Sequence, residues 1–322
     1  LMSKVMKNMS NMTDEELFRF VEFDSSRAES VSYSGYSYWK STFSVFMSKR
    51  STRLLLYFLI ALLAFTFIQP YLPGQKSPTE IFINPETGRQ YRSLQPNSEF
   101  WFGTNTIGQD LWSRIWSGTR TTMLIAVVSV ASSTIIGIII GAIWGYVRVL
   151  DRLFTEIYNV INNIPTTVLR MLITYIMKPS VGTLIFAMCL TNWVAMAKWI
   201  RNLIIIIRDR EYNLASRCLG TPTRRIIVRN LLPQIVSVVM LDIALSIPGV
   251  IGSEVFLTYI GLGLPVDTPS LGNLIDEGRR VMMNLSQTYQ LVFPAIVVAA
   301  ITISFYALGN KFADASDPRN HV

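Results

Sequence analysis

The chain has one histidine, His321, next to its last residue, and two cysteines, Cys189 and Cys218. Histidine-based catalysis and a histidine metal site are therefore not expected, and two cysteines give neither a disulfide framework nor a Cys-based zinc site. Charge is scarce as well. Only 16% of the 322 residues are Asp, Glu, Lys or Arg, against about a quarter in a soluble domain. Half the residues are hydrophobic, and they are gathered in blocks rather than spread as in one large soluble core.

Four blocks carry no charge at all: Leu54 to Gln75, Thr121 to Val147, Pro179 to Ala197 and Val281 to Asn310. A membrane-spanning helix needs roughly 20 mostly apolar residues. The pattern predicts an all-α integral membrane protein with six spans, at about 54–72, 121–147, 155–177, 182–203, 234–258 and 290–311. Charges interrupt the third and the fifth.

The net charge is +8. In a membrane protein such an excess marks loops on the cytoplasmic side and does not call for a nucleic-acid partner. Lys40, Lys49, Arg50 and Arg53 precede the first span. Arg148 and Arg152 lie between the second and third. Arg208, Arg210, Arg217, Arg224, Arg225 and Arg229 lie between the fourth and fifth, and Lys311 and Arg319 follow the sixth. With six spans these loops share one side, so both termini are expected in the cytoplasm. Residues 1–53 read as a polar leader, with some amphipathic character at Leu17, Phe18 and Val21, and 312–322 as a tail. The basic start of the chain is followed by Asp14-Glu15-Glu16 rather than an apolar core, so no signal peptide is predicted.

Two outer segments are long enough to hold structure. Residues 73–118 contain four prolines and end in Trp101, Trp112 and Trp116, aromatics suited to a membrane interface. Residues 259–289 are rich in Gly and Pro and read as a loop or a short re-entrant helix. On the second span, Ser129, Ser133, Gly137, Gly141 and Gly145 recur every four residues and so share one helix face. Small residues let backbones approach. That face packs within the chain, lines an interface or transport path, or does both.

The most informative segment is the basic loop 208–233. Glu211 to Leu219 favours a short helix with small residues at Ala215 and Ser216. Gly220 suits its C′ stop. Thr221-Pro222 then suits the N-cap and first position of a second helix, and Pro233 marks the boundary before the fifth span. Arg217, Arg224, Arg225 and Arg229 offer positive charge to acidic groups on a partner or to anionic headgroups. A positive-inside loop without a partner is the plainer alternative.

This loop resembles the EAA loop of ABC importer permeases. Ala215, Ser216, Gly220, Leu232 and Pro233 match its pattern, while Leu214 stands where the pattern has Glu, Ser216 where it has a second Ala, and Asn230 where Ile is common. Trp101-Phe-Gly-Thr104, Gly108-Gln-Asp110, Ser117-Gly-Thr-Arg120-Thr, Phe256-Leu-Thr-Tyr-Ile-Gly261-Leu-Gly263, Pro269-Ser-Leu-Gly272 and Ala313-Asp-Ala-Ser-Asp317-Pro318-Arg319 are similar to the OppC/AmiD type of oligopeptide permease subunit. The resemblance covers nearly the whole chain after the leader. It implies a type I ABC importer permease fold, with residues 54–120 forming the first helix and an extracytoplasmic loop, and 121–311 the transmembrane core.

It further implies a bacterial plasma-membrane location and a set of partners. These are an OppB-like second permease, two OppD/OppF-like ATPases, an extracytoplasmic peptide-binding protein, a peptide substrate and membrane lipid. Glu211, Ala215, Ser216, Arg217, Gly220, Thr221 and Pro222 become candidates for coupling to the ATPases. Gly103-Thr-Asn-Thr-Ile-Gly108 has the glycine spacing of a phosphate loop but is followed by Gln109-Asp110 instead of Lys-Ser/Thr. ATP and Mg are therefore expected on the partner subunits, no cofactor or metal on this chain, and no catalytic residue in it.

Four charges lie in or near spans, where charge is a functional hypothesis by default. Lys198 and Glu254 fall near predicted span ends and are expected to snorkel. Glu254 also matches a Glu that recurs in the family before the Leu-Gly-Leu-Gly loop, which adds an outer-gate role. Arg170 and Asp242 lie deeper and, with Glu254, are candidates for the translocation path. Arg170 is expected either to face the aqueous path and meet peptide carboxylates or to join a helix-packing ion pair. Permeases for dipeptides, glutathione or nickel share these features, and a secondary transporter driven by an ion gradient remains a rival of another class.

Overall fold

The protein is described from a computed structural model over residues 38–316. The leader residues Leu17, Phe18 and Val21 and the tail residues Asp317 to Val322 lie outside the described part. Among the described residues the chain is helical, and only two isolated β-bridges occur, Ile83 with Gln90 and Thr104 with Asp110.

The helices, in chain order, are α1 (Tyr38–Ser48), α2 (Arg50–Ile68), α3 (Leu111–Tyr146), α4 (Arg148–Asn162), α5 (Thr166–Met177), α6 (Val181–Arg208) and α7 (Glu211–Cys218). After a turn of helix at Thr223–Arg225 and a π-helical stretch Ile226–Leu231 come α8 (Leu232–Tyr259), α9 (Leu271–Val281) and α10 (Tyr289–Ser316). Five helical stretches are long and apolar enough to cross a membrane singly: Arg50–Tyr71, Leu111–Tyr146, Val181–Arg208, Thr223–Tyr259 and Tyr289–Ser316.

The expected third span, 155–177, is not one helix. It is divided into α4 and α5 at Asn163-Ile164-Pro165. Proline has no N–H to continue α4, and its ring disfavours helical backbone at the preceding residue. α4 also carries Arg148, Asp151, Arg152 and Glu156 along one side. The pair nevertheless makes a return path. α3 and α6 run parallel, since Ser129 meets Met188, a Cβ on Gly141 would lie 2.7 Å from Ile200, and one on Gly145 would lie 2.8 Å from Ile204. The chain must come back between them. Asp151 pairs with Arg201 at 2.7 Å, Lys198 sits over the Tyr158 ring, and Arg170 bonds Thr191, so α4 and then α5 descend along α6 in the opposite sense.

The small-residue face on the second predicted span is thus a packing face within the chain. Ser129, Ser133, Gly137, Gly141 and Gly145 are buried against α6. Above and below this seam lie two apolar cores. One joins α3, α6, α8 and α10 around Ile125, Leu184, Ile251 and Ile301. The other joins α6 to the π-helical stretch and α8 around Ile200, Ile204, Ile226 and Leu231.

α3 starts ten residues before the expected span, so Trp112 and Trp116 belong to a helix and not to the preceding loop. Asp110 caps it by accepting from the Ser113 N–H at 2.9 Å. At about 1.5 Å per residue its 36 residues measure roughly 54 Å, well beyond a hydrocarbon core of about 30 Å. The projecting turns are covered by residues 73–110. Trp112 packs edge-on against Trp101, Phe102, Phe65 and Trp116, and Phe102 stacks on Phe293 at 4.1 Å.

Polar groups lock the same end. Arg114, 1% exposed, pairs with Glu277 at 2.7 Å and bonds Gln109. Asn105 also donates to Glu277, and the Tyr289 hydroxyl reaches the carbonyl oxygens of Leu94 and Thr104 at 2.8 Å. α9 realises the short helix expected in 259–289. It is capped by Ser270 and seated so closely on α10 that a Cβ at Gly278 would lie 2.6 Å from Leu291.

Candidate functional site

At the opposite end, α7 follows directly from α6. Its stop is a Schellman motif: the Gly220 N–H donates to Arg217 O at 2.9 Å and the Thr221 N–H to Ser216 O at 3.1 Å. Gly220 has φ of +75°, a conformation that strongly favours glycine. The expected hinge is present, with a shifted cap. Pro222 occupies the N-cap position of the next helical turn, and no side chain caps it, so Thr221 is C″ of α7 and not an N-cap.

Pro233 does not break the chain either. It lies in the first turn of α8, continuous with the π-helical stretch before it. Proline cannot donate to the carbonyl of Arg229 and its ring crowds that oxygen. The wider π turn accommodates the misfit, and the Gln234 side chain donates instead to Asn230 O at 2.8 Å.

Asn213, completely buried, fixes the inner side of α7 by donating to Ile207 O at 2.8 Å. Asn230 bridges to Asn213 and to Ser216, and Tyr212 reaches Gln234 at 2.8 Å. Asn230 therefore ties α7 to the π-helical stretch. Arg217, expected to meet a partner, turns inward: it donates to Arg208 O and to Asp209, both at 3.0 Å. Asp209 collects three guanidinium groups, from Arg148, Arg208 and Arg217. Their hydrogen bonds and charge, Arg217 first, hold its carboxyl below the usual carboxylate range. Arg208 also bonds Gly145 O at 2.6 Å. The start of α4, the ends of α3 and α6, and α7 thus meet at Asp209.

The outward side of α7 carries Glu211, Leu214, Ala215 and Leu219. Ser216 and Thr221 are half-buried, and Gly220 and Pro222 are exposed. Leu219 is 86% exposed and Leu214 is 44% exposed. Beside them, Pro222, Arg224, Arg225, Val228 and Arg229 line an open hollow, and none of the three arginines forms an ion pair among the described residues. Leu219 and Asp209 were missed from sequence. Leu219 looked like one more helix former, and a single acid between Arg208 and Arg210 is easily lost in a basic run.

Of the three residues expected along the path, the structure brings Asp242 and Arg170 to one cavity and places Glu254 elsewhere. Asp242 lies on the wall of a cavity of about 420 Å³ between α3, α6 and α8, with a 3.4 Å contact to Ser246. Arg170, 9% exposed, sits behind this wall. Its guanidinium donates to Thr191 at 2.9 Å, to Ser253 at 3.2 Å and to Asn192 at 2.6 Å; Asn192 and Ser253 both line the cavity. No carboxylate pairs with Arg170 among the described residues, so the packing ion pair is overturned. A charge at the bilayer centre costs roughly 2.5–3.5 kcal/mol on insertion scales, which makes two unpaired charges at one cavity a feature that needs a reason.

Glu254 is elsewhere. Although it follows Ser253, it is completely buried on another face of α8, near Thr122 (3.3 Å), Thr258 (3.4 Å) and Gly272. It does not snorkel; it joins α3 and α8 to the N-terminus of α9. Lys198 does not extend freely either, lying over the Trp144 and Tyr158 rings at 5.2 and 4.9 Å. Among the described residues no cluster of His, Cys, Asp and Glu suits a metal ion.

Comparison with known proteins fits this arrangement. Residues 133–322 match the family of binding-protein-dependent transport system inner membrane components. The oligopeptide transport system permease protein AmiD of Streptococcus pneumoniae is 40% identical over 309 residues, covering 96% of this chain and 98% of that protein. The dipeptide permease protein DppC of Bacillus subtilis is 29% identical, with 96% and 94% covered, and the oligopeptide permease protein OppC of the same organism is 27% identical, with 91% and 93% covered. A multi-pass helical chain with a hinged basic loop, and this likeness along almost its whole length, place it in the binding-protein-dependent transport system inner membrane component family, the permease subunits of ABC importers.

Proposed function

We propose that this chain is one of two permease subunits of an ATP-driven importer that takes up oligopeptides handed over by an extracytoplasmic binding protein. The observation that carries the reading is α7: a short helix, stopped at Gly220, that turns Leu214, Ala215 and Leu219 outward while Arg217 and Asp209 fasten it to the ends of α3 and α6. An ATPase subunit seated on that apolar surface has a mechanical grip on the spans. ATP and Mg belong to two such subunits. Arginines concentrate at the α7 end of the helices, which supports a cytoplasmic position for that end, and with it for both termini.

In this reading, closure of the ATPase pair moves α7 and opens the cavity outward, peptide enters, and hydrolysis resets it. A docking partner shifts such an equilibrium only by its differential affinity for the two states. The 40% likeness to AmiD supports an oligopeptide substrate; the DppC likeness favours dipeptides as the second reading.

The test is purification from membranes in mild detergent with Leu219→Asp alongside the native chain. The native permease is expected to carry two ATPases and to support peptide-stimulated ATP hydrolysis. Leu219→Asp inserts equally well but loses most of both. Retention of ATPases and full stimulation by the variant overturns the docking role. Competition between dipeptides and longer peptides in uptake decides the substrate length.

A further inference from the structure

Asp242 and Arg170 are opposite charges at one cavity, and they do not pair with each other. Each is held by neutral groups only: Asp242 by Ser246, and Arg170 by Thr191, Asn192 and Ser253. Isolated charges at membrane depth face protein or water-filled space and mark substrate pathways. Here both mark the same space, of about 420 Å³. Along α8 the wall between them is Ser246, Gly249, Val250 and Ser253, and Val130, Met196 and Trp199 line the cavity from α3 and α6.

The positions also define a length. Asp242 and Ser253, where the guanidinium touches the wall, are separated along α8 by roughly 16 Å at about 1.5 Å per residue. An extended chain covers about 3.3–3.6 Å per residue, so this matches the distance between the charged ends of a peptide of about four or five residues.

Asn192 connects the buried cation to the cavity. Its Oδ1 accepts from Arg170, which fixes the amide so that its NH2 is left to donate. An anion there receives a hydrogen bond and the field of the guanidinium behind it, in a site where charge-assisted contacts are stronger than neutral ones. Ser253 accepts from Arg170 while donating to Gly249 O at 2.9 Å, so it too is polarised by the arginine.

We propose that this cavity is a transit site for short zwitterionic peptides, in which Asp242 receives the α-ammonium group and the Arg170–Asn192–Ser253 group receives the α-carboxylate. The inference rests on the importer reading and adds a selection step inside the permease, separate from the choice made by the binding protein. It concerns the two peptide ends and the interval between them, not side chains.

The experiment uses the complete transporter in proteoliposomes, with its second permease, ATPases and binding protein. Uptake of a pentapeptide is compared with its N-acetylated and C-amidated forms, in the native protein, Asp242→Asn and Asn192→Asp. The first variant removes the anion with little change of shape. The second places a carboxylate 2.6 Å from the guanidinium, so it neutralises Arg170 in place without leaving a buried charge unpaired; folding is not put at risk. Because the binding protein is the same throughout, its own preferences cancel in the ratio between variant and native protein.

Asp242→Asn is expected to raise KM about tenfold for the free pentapeptide and to leave the N-acetylated form nearly unchanged. Asn192→Asp is expected to act likewise on the free and C-amidated pair. Unchanged ratios in both variants, with normal uptake, overturn the transit site and leave the importer reading intact. No peptide uptake by the native complex, with or without blocked ends, overturns the importer reading itself.

Discussion

The two ends of the helical bundle are built in opposite ways. At the Trp112 end, contacts join residues far apart in the chain: Arg114 to Glu277, Asn105 to Glu277, Tyr289 to Leu94 and Thr104. They are partly buried, beside the edge-on Phe102–Trp112 pair and the stacked Phe102–Phe293 pair. At the Arg217 end, α7 is held by neighbours in sequence, Ile207, Arg208 and Asp209, and by Asn230 and Gln234 across the hinge, and its outer side is open. One end is fixed by a network that closes on itself. The other is fixed on its inner side only, which leaves its outer side free for the docking proposed above.

The largest expected effect is at the Trp112 end. Glu277→Ala leaves Arg114 buried without its counter-ion and also removes a partner of Asn105. Breaking a buried pair from one side costs about 3–5 kcal/mol, reduced here because Glu277 retains some exposure. The detergent-solubilised protein is expected to melt several degrees lower than the native form by circular dichroism. An unchanged melting temperature would show that the network is ornamental and erase the contrast between the ends.

A smaller effect is expected at Gly220. An added Cβ meets nothing within 4 Å, so Gly220→Ala acts through its φ of +75° alone. Left-handed backbone costs a non-glycine residue about 1–2 kcal/mol. Because α7 is held locally, the strain should loosen that helix without lowering the melting temperature. Limited trypsin digestion reads this as faster cleavage at Arg217 and Arg224. Global destabilisation instead would mean that α7 is more deeply integrated than its contacts indicate.

The difference between the ends also governs what was legible in the sequence. Hydropathy locates α2, α3, α6, α8 and α10 because burial in lipid and burial in protein both demand apolar residues. Local backbone chemistry is equally direct: Gly220 reads as a helix stop because few other residues tolerate that conformation. The division of the third span at Pro165 was present in the text, together with Arg152 and Glu156, but averaging over a spanning window conceals a proline. Long-range partners are another matter. Glu254 looked like a snorkelling side chain because its neighbours in sequence end a span, whereas Thr122, 132 positions away, supplies its burial. Arg114 and Glu277 gave no local sign of each other. The basic loop could be read in outline because its helix stop and many of its contacts are local; the Trp112 end could not.

The smallest effect concerns Asp209, and it separates attachment from stability. Its carboxyl is held below the ordinary carboxylate range, chiefly by Arg217 and further by Arg208 and Arg148. For a depressed pKa the associated stabilisation is complete above the unfolded value and is lost as pH falls through the folded value. The junction should therefore be intact at neutral pH and loosen only under acid conditions, below the pH at which an ordinary aspartate protonates. Asp209 is well exposed and the contacts are partly screened, so the change belongs in the local exchange rate of the α7 amides rather than in global melting. Hydrogen exchange across an acid series, corrected for intrinsic rates, should show α7 protection falling in the native chain. In Asp209→Asn protection should be lower from the start and insensitive to that fall. Equal protection in both proteins at neutral pH would mean that Asn213 and Asn230 hold α7 without Asp209, and that the mechanical link from α7 to α3 and α6 runs through Ile207 and the π-helical stretch instead.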